Sequence, residues 1–316
     1  MRALYFDGST ARLVERPEPQ PPDGWCIVRP RVAGICNTDL EILRGYMAFV
    51  GVLGHELVGT VVRGPDAWIG KRVVADINFA CGHCSACERG LGRHCALRTV
   101  MGIAGAQGAF ADSVPVPVCN LHEVPASVTD EDAAFCEPLA AAFEILEQVH
   151  VHARTRAIVL GDGKLGLLVA QVLHAAGADL TAVGKHPDKL AILERRGICT
   201  CSLDALGDRR AELVVDATGA ASGFEQALRC VTPRGTIVLK STVADPINLH
   251  LSRIVVDEVS VVGSRCGLFQ PALRALAAGT VDVASLVSQV IPFERAEEAL
   301  RLAAEKGAMK VLLSMR

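Results

Sequence analysis

Aromatic side chains are scarce: two Trp, two Tyr and nine Phe make up 4% of 316 residues. Packing must therefore rest on Val, Ile, Leu and Ala. Half of the residues are hydrophobic, which is enough for two cores. There is no block of Lys and Arg, and the formal net charge is −3. A nucleic-acid partner, which would need a basic footprint, is excluded. No apolar run reaches the length of a membrane span, so no membrane partner is expected. The opening residues, MRALYFDGST, lack the apolar core of a secretory leader, and the expected compartment is the cytoplasm. Cysteine is what the chain has in excess. Twelve cysteines without a secretory signal point to metal ligands before disulfides. The length itself suggests two domains.

Two stretches carry the metal chemistry. The first, Gly34 to Gly59, offers Cys36, His55 and Glu56. Thiolate, imidazole and carboxylate together form a ligand set for Zn²⁺, which can polarise a carbonyl or acidify a bound alcohol. The competing reading is a buried structural Cys beside a satisfied loop His. The second stretch, CGHCSACERGLGRHC, places Cys81, Cys84, Cys87 and Cys95 in a C-x₂-C-x₂-C-x₇-C pattern. Four thiolates in a Gly-rich loop close a tetrahedral zinc site with no open position, and a closed site is structural. An iron–sulfur cluster is the alternative occupant. His83 and His94 are expected to decorate this loop rather than ligate.

The first part of the chain reads as β-structure. ALYF and ARLVE are strands broken at Asp7-Gly8, and CIVRPRVAGI is a strand whose Pro30 signals an edge or a bulge. Residues 37–44 suggest a short helix capped by Asn37 or Thr38. LVGTVVRG and KRVVAD are further strands. Near residue 130 the pattern changes to short apolar strands alternating with helices, the rhythm of a doubly wound parallel sheet. The segment AIVLGDGKLGLLVAQVL reads as strand, glycine turn and helix. Its turn spans Gly161, Asp162, Gly163, Lys164, Leu165 and Gly166, a G-x-G-x-x-G fingerprint in its confirming context. Gly161 allows the tight turn, Gly163 the approach of a pyrophosphate, and Gly166 close packing of helix on strand.

In their order these parts resemble the medium-chain, zinc-dependent alcohol and polyol dehydrogenase family, on its sorbitol- and threonine-dehydrogenase-like branch. GICNTDLEI is similar to the catalytic-zinc motif, GHE at 54–56 to the second ligand motif, residues 81–95 to the structural-zinc lobe and GDGKLG to the dinucleotide turn. The C-terminal segment PFERAEEALRLAAEKGAMKVLL resembles the family's return to its first domain. The resemblance implies an α/β architecture. A GroES-like β domain spans residues 1–138 and 264–316, and a Rossmann dinucleotide-binding domain spans 139–263. It implies Cys36 and His55 as catalytic-zinc ligands. Glu56 and Glu137, the latter in Phe135-Cys136-Glu137-Pro138-Leu139, compete for the third place. One carboxylate with Cys36 neutralises Zn²⁺, whereas two would fill the position a catalytic zinc keeps open, so one Glu at a time is expected on the metal. Cys136 reads as core. Thr38 matches the hydroxyl that takes the substrate proton. Where relatives carry a relay His, this chain has Glu41. His122, His150, His152 and His250 sit in no motif.

The implied activity is a zinc- and NAD(P)-dependent dehydrogenase that moves hydride between a CH–OH group and nicotinamide. Its substrate would be a small alcohol or polyol, or the matching aldehyde or ketone. Two other readings remain: a non-catalytic zinc- and nucleotide-binding relative, and a zinc-independent quinone or enoyl reductase. Tyr46, Met47, Phe49 and Phe110 are candidate pocket residues. Thr218 and Arg265 are further candidate cofactor contacts. At the end of the second strand, LTAV, the sequence has Gly184 followed by Lys185 and His186, with no carboxylate to bind the ribose hydroxyls. A glycine beside cations admits a 2′-phosphate, so NADP is expected over NAD. SVVGS, residues 260–264, is the expected last strand of the sheet, and pairing across this apolar edge predicts a homodimer or homotetramer.

Overall fold

The computed structural model describes residues 1–241 and 251–315, so His250 lies outside the described residues. Two compact units emerge. The first comprises Met1–Glu137, Ala272–Ala277 and Leu286–Arg316, and the second Pro138–Pro271 and Ala278–Ser285.

The first unit is built on a seven-stranded sheet. Its order runs Leu121–Glu123, Arg72–Ala75, Glu56–Arg63, Trp25–Gly34, Lys310–Ser314, Val287–Pro292, and Val114–Pro117 pairs with Trp25–Gly34 off this path. The long Trp25–Gly34 strand is therefore central, and Pro30 is no edge residue. Its ladder with Glu56–Arg63 shifts register between Pro30 and Val32, which is where a missing N–H is tolerated. Ala11–Glu15, Arg2–Phe6 and Gly51–Val52 form a second, three-stranded sheet. The core beneath these strands gathers Leu4, Phe6, Ile35, Ile42, Leu53, Phe110, Phe293 and Leu313. Phe110 is fully buried there, which corrects its assignment to a pocket wall. Met47 and Phe49 do line a surface cleft, together with Ile103 and Gln107, but Tyr46 does not.

A short helix, Asn37–Leu43, follows the central strand and buries Asp39, Leu40 and Ile42. Its N-cap is Cys36, not Asn37 or Thr38. The cap works in reverse of the expected one: the Cys36 N–H donates to Asp39 Oδ2 at 2.8 Å. The carboxylate three residues on thus satisfies the capping residue's own donor.

The second unit is a six-stranded, wholly parallel sheet. Its order is Cys199–Cys201, Asp179–Val183, Arg156–Leu160, Ala211–Asp216, Val231–Leu239, Ser260–Gly263. The strand Cys199–Cys201 and the helix Leu203–Leu206 carry too few apolar residues to stand out in the sequence. The two central strands, Arg156–Leu160 and Ala211–Asp216, are mostly apolar and buried, as parallel strands covered on both faces are. The helix Lys164–Ala175 starts from the glycine turn with Gly163 as its N-cap. Gly161 adopts φ +114°, and a Cβ on Gly166 would stand 2.1 Å from the Gly161 carbonyl oxygen. Close packing of turn and helix therefore requires both glycines. Among the described residues no helix is long and apolar enough to cross a membrane.

Candidate active site

Strand pairing assembles the first metal set. Gly34 sits directly opposite Glu56 in the ladder of the central strand. A Cβ on Gly34 would lie 2.1 Å from Glu56 Oε2, so the glycine makes room for the carboxylate. Two residues on, the chain turns at Cys36 into the Asn37–Leu43 helix. The Cys36 sulfur, a His55 ring nitrogen and a Glu56 oxygen all come within 4.8 Å of one another. His55 and Glu56 are buried, and Cys36 keeps partial exposure. Glu56 Oε1 is a buried carboxylate oxygen with no hydrogen-bond partner. A buried carboxylate oxygen without a partner, beside a thiol and an imidazole, is what a cation would complete, so the residues fit Zn²⁺.

Two residues that the sequence did not single out support this set. Asp39 is fully buried, and its Oδ1 lies 3.2 Å from His55 Nδ1 and 3.2 Å from the Gly54 N–H that donates to it. The approach to Nδ1 is close enough for attraction though off the line of a well-formed hydrogen bond. A carboxylate at this place is the usual orienting contact behind a metal-bound His, and it leaves Nε2 open to ligate. Burial alone would lower the His55 pKa, but Asp39 and Cys36 outweigh it and hold it well above its ordinary value. The second residue is Lys310, buried and ion-paired with Glu56 Oε2. Its Nζ also reaches the Ile35 carbonyl at 3.5 Å and lies 5.5 Å from the centre of the Phe135 ring. Burial opposes its charge, yet Glu56 and then Cys36 raise its pKa.

Glu137 stands outside the three-residue ligand group. It keeps some surface exposure, but the surrounding protein pushes its carboxyl up to about 7, with Glu56 adding to burial and His55 opposing it. Cys136 is buried, and the same burial pushes its thiol well up. Thr38 is half-buried, with Oγ1 3.7 Å from the Cys36 sulfur. Glu41 does not face this cluster as a free acceptor, because Arg44 Nη1 donates to it at 2.7 Å on the helix surface.

The second metal set is tighter. Sulfur–sulfur distances are 3.5 Å for Cys84–Cys87, 3.5 Å for Cys81–Cys95, 3.7 Å for Cys84–Cys95 and 3.9 Å for Cys81–Cys87. A tetrahedron of thiolates at the usual zinc–sulfur bond length has edges of about 3.8 Å. The spacing therefore fits one tetrahedral ion and is too tight for a multi-iron cluster. Backbone donation from Cys87, followed by its side chain, pulls the Cys84 thiol down to about 6. His83 is exposed, with Nδ1 at 2.8 Å from the Cys81 carbonyl, and neither it nor His94 joins the set.

In the second unit the glycine turn meets the requirement for a dinucleotide. A Cβ on Gly163 would enter open space, so the backbone can be approached closely, while Gly161 and Gly166 are locked against Ala217 and each other. Lys164 and Leu165 open the helix and are half-buried. Thr218 is bound to the buried Asp216, its Oγ1 donating to Oδ1 at 2.8 Å. Arg265 is exposed, and its carbonyl accepts from Lys240 Nζ at 2.9 Å.

The end of the Asp179–Val183 strand differs from the expectation. Gly184 is buried, and a Cβ there would meet Asp162 Cβ and Oδ2 at 2.6 Å. His186 is not a free cation either, because its Nδ1 lies 3.0 Å from Asp162 Oδ2. A carboxylate does occupy this place, delivered from the glycine turn. The expectation of NADP over NAD assumed that no carboxylate stood at this place.

The fold and the two ligand sets together define a zinc-type dehydrogenase scaffold. Residues 22–126 match the alcohol dehydrogenase GroES-like domain, and residues 165–281 match the zinc-binding dehydrogenase domain. A D-altritol 5-dehydrogenase of Agrobacterium fabrum is 31% identical over 314 residues, covering 92% of this chain and 93% of its own. An alcohol dehydrogenase of Escherichia coli CFT073, solved with NADH, superposes with a TM-score of 0.93 at 25% identity, covering 100% of this chain and 99% of its own. A zinc-binding dehydrogenase of Sinorhizobium meliloti 1021, solved with NADP, gives 0.91 at 26% identity, covering 99% and 98%. The chain belongs to the medium-chain, zinc-binding alcohol and polyol dehydrogenase family, and it is an oxidoreductase of that family.

Proposed function

We propose that this oxidoreductase is zinc- and nicotinamide-dependent and interconverts the CH–OH group of a small polyol or alcohol with the matching carbonyl. The observation that carries this reading is the buried Cys36–His55–Glu56 set with its unsatisfied carboxylate oxygen. A polyol is favoured because the A. fabrum relative is a polyol dehydrogenase.

Cys36, His55 and Glu56 would hold the catalytic ion, with Glu137 close by as the alternative carboxylate. Zinc there would supply a Lewis acid for the substrate oxygen. Thr38, beside the Cys36 sulfur, accepts the hydroxyl proton of the alcohol. That proton leaves by water, since Arg44 already engages the Glu41 carboxylate. Cys81, Cys84, Cys87 and Cys95 would hold a second ion, which would stabilise their loop. The 161–166 turn, with Thr218 and Arg265, binds the dinucleotide. Residues 1–138 with 264–316 serve as the catalytic domain and 139–263 as the cofactor domain.

A homodimer or homotetramer is proposed through the Ser260–Gly263 strand, which ends the parallel sheet and exposes Val261. A cytoplasmic location goes with this chemistry. Metal analysis of the purified chain, joined to a polyol screen read by nicotinamide absorbance, tests the proposal. Two zinc ions per chain and a turned-over polyol are expected. Fewer than two ions, or no activity on any polyol or alcohol, would overturn it.

A further inference from the structure

In a dinucleotide-binding sheet of this kind, the adenosine ribose is read at the end of the second strand by an acidic residue about 20 positions beyond the glycine turn. Here that end carries Gly184, yet a carboxylate stands over it. We propose that Asp162, reaching across from the glycine turn, is the cofactor-selecting residue: it accepts from an unphosphorylated ribose and repels a 2′-phosphate, so that the protein takes NAD(H) over NADP(H). The inference rests on the dehydrogenase reading and names one specificity determinant within it.

A Cβ on Gly184 would be 2.6 Å from both Cβ and Oδ2 of Asp162, so Asp162 fills the space a side chain at 184 would enter. Gly184 shows no left-handed φ, so its backbone does not demand glycine; the neighbouring carboxylate does.

Asp162 Oδ2 accepts from the N–H groups of Lys185 at 2.6 Å and His186 at 2.7 Å, and the His186 ring adds a contact at 3.0 Å. These donors hold the carboxyl below its ordinary range although burial opposes them. All three fall on one oxygen. Oδ1 has no protein donor among the described residues, and the side chain keeps 12% exposure, so one acceptor remains for a ribose hydroxyl. The same anchoring commits His186 Nδ1 to Asp162, so a phosphate at this place would meet Lys185 and the outer edge of His186 against a fixed negative charge. At about 4 Å, repulsion of a single charge amounts to roughly fivefold to a thousandfold in affinity between aqueous and near-surface dielectric limits.

Binding separates this role from a tie that merely holds the loop. Dissociation constants for NADH and NADPH, read by cofactor fluorescence on the zinc-loaded full chain, need no turnover. The wild type is expected to bind NADH at least about fivefold tighter than NADPH. Asp162→Asn and Asp162→Gly should bring the ratio towards one, and the swap Asp162→Gly/Gly184→Asp should restore it by returning the carboxylate to the strand end. A wild type that binds NADPH as tightly as NADH overturns the proposal whatever the variants do. So does an unchanged ratio in Asp162→Gly, or an equal loss of both affinities that the swap leaves unrestored. If the wild type binds neither cofactor, the dehydrogenase reading falls and takes this inference with it.

Discussion

Lys310→Met would remove the cation from a buried ion pair whose members are 2% and 0% exposed along their side chains. Breaking one side of such a pair costs about 3–5 kcal/mol, because the remaining charge stays buried and uncompensated. The stranded carboxyl can escape by taking a proton. For an ordinary glutamate this costs about 3.7 kcal/mol at pH 7 and about 1 kcal/mol at pH 5, which bounds the loss. A carboxyl forced neutral in the folded state destabilises only above its unfolded pKa, so the defect should grow as pH rises from about 4 and fade as pH falls towards it. Bound zinc offers the carboxylate another cation, so the loss should be smaller in the loaded protein than after mild chelation of the open site. The assay is convenient, since Trp25 and Trp68 are the only tryptophans and both belong to the first unit. Trp25 packs edge-on against Phe79 with ring centres 5.4 Å apart, and its fluorescence follows unfolding of that unit without contribution from the other. At pH 7 the chelated variant should lose about 3–3.7 kcal/mol, or about 6–15 °C in Tm. A loss below about 1 kcal/mol, or equal losses with and without zinc, would refute the electrostatic account.

Asp39→Asn should weaken zinc at the open site by about 10- to 100-fold, by analogy with other contacts behind a ligating His, and competition with a chromophoric chelator measures it; unchanged affinity would remove Asp39 from the site. Cys87→Ser should lower zinc from two ions per chain to one and reduce thermal stability, since a closed thiolate site contributes folding energy. A Cys87→Ser protein with unaltered melting but no activity would show that the two sites have been assigned the wrong way round. Gly166→Ala places a methyl group 2.1 Å from the Gly161 carbonyl oxygen, and should abolish NADH binding or prevent the second unit from folding; wild-type affinity would contradict the close packing of turn and helix.

What could be read from the sequence was what is local. The four cysteines of the 81–95 loop fall within one turn of chain, and spacing alone brings their sulfurs to bonding range of a single ion. The glycine turn likewise declares itself, because strand, turn and helix are contiguous and Gly166 packs directly on the Gly161 carbonyl five residues before it. Parallel strands were legible where they were apolar throughout. The Cys199–Cys201 strand was not, being short, polar and set at the sheet edge. Pro30 was read correctly as an irregularity, but the choice between edge and bulge depends on strands that arrive from residues 56–63 and 310–314.

The missed residues share one property: each acts on a partner that the chain brings near only by folding. Lys310 is one polar residue in an apolar C-terminal strand, and it meets Glu56 across 254 positions because their strands flank the same central strand. Asp39 lay in plain view three residues from Cys36, but a helix of that length ordinarily turns such a residue to solvent, and only the buried packing of Leu40 and Ile42 turns it inwards onto His55. These two also alter the charge count. Cys36 and one glutamate by themselves balance the charge of Zn²⁺. Lys310 adds a positive charge and Asp39 a negative one, so the neutral total survives because two omissions cancel. Asp162 has no such cancellation. A carboxylate was sought on the strand that usually supplies it, and its absence was taken to mean an absent charge. Position 184 shows the difference: a glycine at a ligand subsite can mark open space, or space already filled by a neighbour, and only the distance to Asp162 tells which.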